Sequence, residues 1–352
     1  MEKEKKQKNL FASSVFQLSR TVTTHLYFGG GLLEECPSLF SGRAVVISDP
    51  KVGELYGAKL AEKLKAPLLL IPTGEKAKSF DVVGKLLDEL LQLGVDRRTA
   101  LFAVGGGATM DLVGFVASIC LRGLPLVLVP TTLLAMVDAS IGGKTGINNR
   151  FGKNQIGTFY PPQAVVVDPD VLCTLSEKER LNGLAEIWKL GSVLDKKLWK
   201  SDDILEAIKG KIEVVEKDPM EQGLRRILNF GHTIGHALEK LTNYEISHGE
   251  AVLIGCVAEA HLSMNLGFLQ KSDFQEIEAF YAQHLVQLPC SYTKEKLWEM
   301  MAYDKKKENG EVRFVLIDKI GHVVPFCGAY CRAVSLHELE ETFFWLQTCK
   351  NR

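Results

Sequence analysis

The sequence predicts an α/β fold in two parts: an N-terminal Rossmann-like nucleotide-binding domain and a mostly α-helical, metal-binding C-terminal domain. Three observations predict it. Apolar, β-branched runs recur through the first half, with helical patterns between the early ones. After about Asp170 helical patterns follow one another almost without strands, and that half carries His232, His236 and His248 in a short stretch and, separately, a carboxylate, Glu186, among apolar neighbours. A chain of 352 residues also exceeds one ordinary core. The expected boundaries are a solvated Lys- and Glu-rich tail over 1–20, the nucleotide-binding domain over 21–173 and the helical domain over 174–352.

Strands are expected at Ala44–Ile47, Leu68–Ile71, Leu101–Val104, Leu126–Val129 and Ala164–Val167, because runs apolar at nearly every position suit strands covered on both faces. Thr21–Phe28 is a further candidate strand. Helices are expected over Val52–Lys65 and Phe80–Leu93, the second with Val83, Leu86, Leu87, Leu90 and Leu91 on one stripe. The second half reads as helices over Ser176–Asp195, Asp203–Asp218, Gln222–Leu241, Gly249–Leu266 and Ser272–Leu285. Ser176 with Glu179 has capping-box spacing. Arg313–Ile317 and His322–Pro325 suggest a small hairpin about Lys319-Ile320-Gly321. Beyond Pro325, Cys327, Cys331 and Phe343-Phe344-Trp345 read as packing.

Composition narrows the function classes. The formal net charge of −1 argues against a nucleic-acid binder, which carries a basic excess. No apolar run reaches the ~18 residues a bilayer span needs, and the patch Leu10–Phe16 is short for a signal peptide. The eight cysteines are scattered and form no C-x-x-C pair, which favours reduced thiols in a cytoplasmic protein.

Several motifs carry chemistry. Gly105-Gly106-Gly107-Ala108-Thr109-Met110-Asp111 follows a strand and opens a helix, so its backbone N–H groups can meet a diphosphate; a merely tight turn is the alternative. Asp49 after Ala44–Ser48 suits a ribose or a helix N-cap, and Thr131-Thr132 suits a nucleotide or a cap. The Gly-rich stretch Asp138–Gly146, with Lys144 and then Lys153 downstream, suits close approach to a phosphorylated, hydroxylated substrate. It lacks the P-loop spacing, which excludes an ATPase reading. His232 and His236 lie one helical turn apart, and His248 follows where an apolar helix begins. Such imidazoles bind a divalent metal or are hydrogen-bonded in a core. Glu186 and Lys189 share a helix face among Leu181, Leu184, Ile187, Trp188 and Leu190: either a surface ion pair, or a carboxylate that needs a partner such as a metal shared with His232 and His248. Two histidines and one carboxylate leave positions open for water or substrate.

Together these segments resemble the 3-dehydroquinate synthase family of sugar-phosphate cyclases, from about Tyr27 to about Val324. The resemblance rests on ordered motifs: GEKAKS at Gly74–Ser79, GGGATMD from Gly105, PTTLLAMVDASIGGKTG from Pro130, GKNQIGTFYPPQAVVVD from Gly152, GLAEIWK from Gly183, LNFGHTIGHALE from Leu228, HGEAV from His248 and DKKKENGEVRFVL from Asp304. It implies a zinc or cobalt ion held by Glu186, His232 and His248, with His236 facing substrate rather than metal. It implies NAD held by Asp49, Glu75, Lys78, Gly106, Gly107, Asp111, Thr131, Thr132 and Thr174, to which Gly105, Lys144 and Lys153 are added. The matching substrate positions are Arg122, Asp138, Lys144, Asn154, Lys189, Lys211, Arg225, Asn229, His236 and a lysine after Asp304, taken as Lys305. Of these, Asp138, Lys144, Lys189, Arg225, Asn229 and His236 would be catalytic.

The implied reaction converts 3-deoxy-D-arabino-heptulosonate 7-phosphate to 3-dehydroquinate and phosphate through transient oxidation, elimination, re-reduction and aldol closure. The family also implies a homodimer. Ala108, Met110, Trp188 and Leu190 depart from its usual pattern beside the matched positions. Three rivals remain. A sister cyclase would diverge at Lys211, Arg225, Asn229 and His236; a polyol dehydrogenase would need fewer cations and accumulate NADH; an inactive descendant would bind NAD or zinc poorly.

Overall fold

In the computed structural model, residues 22–285, 288, 292–305 and 311–348 are described. The first half is built on six parallel strands: β1 (His25–Phe28), β2 (Ala44–Ser48), β3 (Leu68–Leu70), β4 (Ala100–Gly105), β5 (Leu126–Pro130) and, after an antiparallel hairpin of β6 (Lys144–Asn149) and β7 (Gly152–Phe159), β8 (Ala164–Val167). Their order is β1-β8-β5-β4-β2-β3, with every neighbouring pair parallel. β2, β5 and β8 are buried at every residue, as continuous apolar runs require when both faces are covered. Each expected strand is present. The first begins at His25, and the 1–20 tail lies outside the described residues.

Register positions the carboxyl ends. Gly105 pairs with Pro130, so the β4 and β5 exits lie side by side and Thr131 N–H donates to the Gly105 carbonyl at 2.9 Å. Ala44 pairs with Ala100, which carries the β2 exit at Asp49 to the same edge. This is the edge at which open parallel sheets bind ligands.

The Gly-rich stretch read as a close-approach loop contains a strand. Lys144 through Asn149 pairs with Phe159 through Gly152. The glycines permit that ladder: a Cβ on Gly157 would lie 2.0 Å from the Thr145 carbonyl oxygen, and one on Gly114, in the helix beneath, 2.6 Å from Thr145 Cγ2.

The principal helices, in chain order, are α1 (Phe80–Gln92), α2 (Gly107–Ile119), α3 (Glu177–Val193), α4 (Ile204–Lys217), α5 (His232–Leu241), α6 (His248–Asn265), α7 (Lys271–Tyr281), α8 (Lys294–Lys305) and α9 (Glu340–Thr348). The single helix expected over Gln222–Leu241 is divided: a 3-10 segment Leu224–Asn229 ends before Gly231, whose φ of +78° starts α5 afresh. A Cβ at Gly231 would stand 2.6 Å from Cys256 Sγ, and one at Gly255 would stand 1.9 Å from the Gly231 carbonyl oxygen. Glycine therefore lets α5 and α6 touch backbone to backbone. The expected hairpin is reduced to β10 (Ile317–Lys319) with β11 (His322–Val323), while β9 (Arg313–Phe314) pairs with β12 (Arg332–Ala333). The packing expectation holds in part: Cys331 and Phe343 are buried and Trp345 stacks on His261, whereas Cys327 is exposed and Phe344 is 69% exposed, on the outer face of α9. Among the described residues no helix is long and apolar enough to cross a membrane.

Candidate metal centre and nucleotide edge

α3 begins at Ser176, whose hydroxyl accepts from Glu179 N–H. The expected reciprocal bond is replaced: the Glu179 carboxylate accepts from Asn182 Nδ2 at 3.3 Å. A complete capping box occurs instead at Ser247 and Glu250, starting α6 at His248. Gly249 N–H donates to Asn182 Oδ1 at 3.0 Å, and a Cβ on Gly249 would lie 2.4 Å from Asn182 Cα. The first turn of α6 thus rests on α3, one turn from Glu186.

The three elements converge. Glu186 Oε1 faces His232 Nε2 at 3.5 Å and His248 Nε2 at 3.4 Å, while Oε2 accepts from the Lys189 ammonium. His232 Nδ1 lies 3.1 Å from the Phe230 carbonyl, which can only accept, so Nδ1 carries the proton and Nε2 turns a lone pair inward. Glu186 Oε1 is buried without a well-aligned donor. An orphaned carboxylate oxygen facing two imidazole nitrogens fits a cation, and donors about 2.1 Å from a tetrahedral ion stand about 3.4 Å apart. The residues present therefore fit a zinc-type ion.

Charge is held against burial here. Burial would raise the Glu186 carboxyl, but the Lys189 ammonium and the two imidazoles hold it well below the usual range. Burial would lower Lys189, yet Glu186 and Asp138 raise it. Burial and then Lys189 push His232 well down.

A charged rim surrounds this centre. Lys211 donates to the Asp138 carbonyl at 2.7 Å and to its carboxylate. Arg225, 2% exposed, donates to the Pro219 carbonyl at 2.7 Å and to the Gly142 carbonyl at 3.1 Å, leaving its Nε without an acceptor. Glu221 accepts from Asn229 Nδ2 at 2.9 Å and pairs with Lys144. His236 is more open, its ring centroid 5.1 Å from that of His232.

The carboxyl edge of the sheet and its neighbours hold most of the rest. Asp49 caps the following helix, accepting from Lys51 and Val52 N–H groups. Gly106 is the N-cap of α2, and a Cβ there would meet Thr132 Cγ2 at 3.3 Å. Gly105 is demanded locally by Thr109, whose Oγ1 would lie 2.5 Å from a Cβ, and Gly107 faces Ala139. Thr132 Oγ1 accepts from Ala135 N–H, whereas Thr131 Oγ1 is buried with no partner. Buried Lys78 ties Asp111, at 2.7 Å, to Asn154 and lies 3.9 Å from Glu75. Thr174 Oγ1 meets the Tyr56 hydroxyl at 2.7 Å. Asn154, expected on the substrate side, thus sits with Lys78. Lys153, expected at the cofactor, pairs instead with Glu239 in α5 at 3.5 Å. Arg122 is exposed, and among the described residues it makes no hydrogen bond or ion pair with this cluster. The side chain of Lys305 lies outside the described residues.

Three carboxylates of the site were not singled out from sequence. Glu221 gives no local signal. Glu239 lies three residues after His236 on one face of α5. Glu259, fully buried in α6, accepts from the N–H groups of Gly231, Thr233 and Ile234 at 2.8, 3.0 and 3.3 Å, capping α5 from its neighbour. A lone carboxylate in an apolar helix was a usable signal for it, as it was for Glu186.

Residues 68–182 match the model of the 3-dehydroquinate synthase N-terminal domain, and residues 183–307 that of the C-terminal domain. The chain is 44% identical over 301 residues to a 3-dehydroquinate synthase of Thermodesulfovibrio yellowstonii, covering 78% of this chain and 84% of that one. It is 40% identical over 321 residues to a 3-dehydroquinate synthase of a Synechococcus strain, covering 84% and 87%. Among solved structures, 2-epi-5-epi-valiolone synthase from Streptomyces hygroscopicus, with NAD+ and Zn2+ bound, is similar with a TM-score of 0.81 at 30% identity, covering 96% of this chain and 99% of that one.

Proposed function

Because this chain belongs to the 3-dehydroquinate synthase family, we propose that it converts 3-deoxy-D-arabino-heptulosonate 7-phosphate to 3-dehydroquinate and inorganic phosphate, a carbon–oxygen lyase step of the shikimate pathway. The observation that carries this reading is the buried Glu186 carboxylate, divided between Lys189 and two imidazoles, with the Asp138–Lys211 pair within its electrostatic reach. When bound, NAD supplies an acceptor that returns its hydride within one turnover, and zinc or cobalt supplies a Lewis acid for the oxygen being oxidised. Glu186, His232 and His248 would hold the ion.

The chain's own residues perform the remaining tasks. Arg225 is anchored by two carbonyls and keeps an unused N–H for an anionic group of the substrate. Lys189 and Lys211 are cations already desolvated, so they bind carboxylate or phosphate strongly. Lys144, half-exposed, trades Glu221 for the phosphate. Asp138 and Asn229 orient hydroxyl groups, and exposed His236 handles a proton at Nε2. Thr131, with its orphaned hydroxyl, joins Asp49, Glu75, Lys78, Gly105–Gly107, Asp111, Thr132 and Thr174 as the cofactor edge.

The division at 173/174, a homodimer and a cytoplasmic location belong to the same proposal. Free buried thiols at Cys36, Cys120, Cys256 and Cys331 support a reducing compartment. The test is phosphate release from the sugar phosphate with NAD and zinc while absorbance at the NADH band is followed. Equal phosphate and dehydroquinate without NADH build-up is expected. A folded, zinc-loaded protein that releases no phosphate would overturn the reading.

A further inference from the structure

We propose that Glu239 is the positioning residue that fixes His248 as a metal ligand. This rests on the metal reading of Glu186, His232 and His248 above. Each imidazole has two nitrogens, and only one can face the ion. For His232 the other is fixed by a backbone carbonyl, that of Phe230. Among the described residues no backbone group does this for His248: its Nδ1 lies 3.4 Å from Glu239 Oε2, while its Nε2 lies 3.4 Å from Glu186 Oε1. Nδ1 keeps its proton and donates it in a hydrogen bond to the carboxylate, which leaves the Nε2 lone pair for the ion and makes the ring a stronger ligand.

Glu239 is built for the task. It is 8% exposed, and it lies on α5, the helix that also carries His232. Its other oxygen, Oε1, lies 3.5 Å from Lys153 Nζ, and that ammonium sits 3.9 Å over the Tyr244 ring. The carboxylate is thereby held from both sides, by a histidine of α6 and a lysine of the β6–β7 hairpin. Donor atoms of His236, Glu239 and His248 also lie within 4.8 Å of one another, the pattern of a ligand set for a second cation. Two facts oppose that use. His248 would have to give up its Nδ1 proton to bridge two ions, and the Lys153 ammonium beside Glu239 repels a second cation.

The test uses metal-free protein titrated with Zn2+ and Co2+ against a chromogenic chelator, with the visible spectrum of the Co2+ form as an independent readout. E239M, which keeps volume but removes the acceptor, is expected to weaken binding by 10- to 100-fold while stoichiometry stays at one ion per chain. E239Q, which keeps an accepting oxygen, is expected to restore most of that affinity with a shifted Co2+ band. Should E239M not fold, an unshifted Co2+ band in E239Q overturns the proposal. Wild-type affinity in a folded E239M would also overturn it, as would a second bound ion that E239M loses. Failure of the metal reading looks different: H232A and H248A would then bind metal as the wild type does.

Discussion

Glu186 and Lys189 form an ion pair with side chains 1% and 2% exposed, and the pair uses only one of the two carboxylate oxygens. The other faces His232 and His248. One carboxylate thus serves two partners of different kinds, an ammonium and a pair of imidazoles. Breaking a buried pair from one side leaves an uncompensated charge, which costs about 3–5 kcal/mol. K189A is therefore expected to lower the stability of metal-free protein by roughly that amount in urea unfolding, and zinc is expected to recover part of it. Turnover should fall at least ~100-fold, because Lys189 is also proposed to face substrate. Unchanged turnover would remove Lys189 from the site.

Glu259 holds the start of α5 through three backbone N–H groups, and His232 is the first residue of that helix. E259A strands those donors in a buried place, at a cost of about 2–4 kcal/mol. Chemical unfolding and zinc titration together check this: stability and metal affinity should fall in E259A, with E259Q intermediate. Wild-type metal affinity in E259A would mean that α5 holds His232 without its cap.

Gly142 has a φ of +103°, and a Cβ there would stand 2.3 Å from Arg225 Nη2. G142A must either rotate its backbone or displace the guanidinium. A loss of about 1–3 kcal/mol is expected, with KM for the sugar phosphate rising more than kcat falls. Steady-state kinetics separates the two constants, and an unaltered KM would detach Arg225 from substrate binding.

His261 supplies a pH dependence away from the site. Burial lowers its pKa to about 4, below the ordinary 6.5, and its Nδ1 meets Thr342 and Asn265 while Trp345 covers the ring and Phe274 packs edge-on. Glu340 and Glu341 line the neighbouring surface cavity. Because the folded pKa lies below the unfolded one, the unfolded chain takes up the proton first. The contribution is complete above about pH 6.5 and is lost as pH falls toward about 4, by roughly 3 kcal/mol in all. Across that range the unfolding free energy of wild type should fall relative to that of H261F as pH falls. Parallel curves would show that His261 does not titrate in the unfolding reaction.

Much of this was legible in sequence because the signals were local. Continuous β-branched runs such as Ala164–Val167 mark strands covered on both faces, and a Gly-rich turn after β4 marks a helix start at the sheet's carboxyl edge. Glu186 was visible because a charge among Leu184, Ile187 and Trp188 demands a partner. The break at Gly231 was hidden, since the close approach that demands glycine there comes from Cys256 on another helix. The same holds for the β6–β7 hairpin, whose glycines read as a loop until the partner strand explains them. Glu221 and Glu239 were hidden because their partners, Lys144, Asn229, Lys153 and His248, lie on other elements.

The most direct test is a crystal structure of the zinc-loaded protein with anomalous data collected on both sides of the zinc edge. One strong peak is expected about 2.0–2.2 Å from Glu186 Oε1, His232 Nε2 and His248 Nε2, with Oε2 still on Lys189. A peak elsewhere, or Lys189 released from Glu186 while the ion takes both oxygens, would contradict the divided carboxylate on which the proposed chemistry stands.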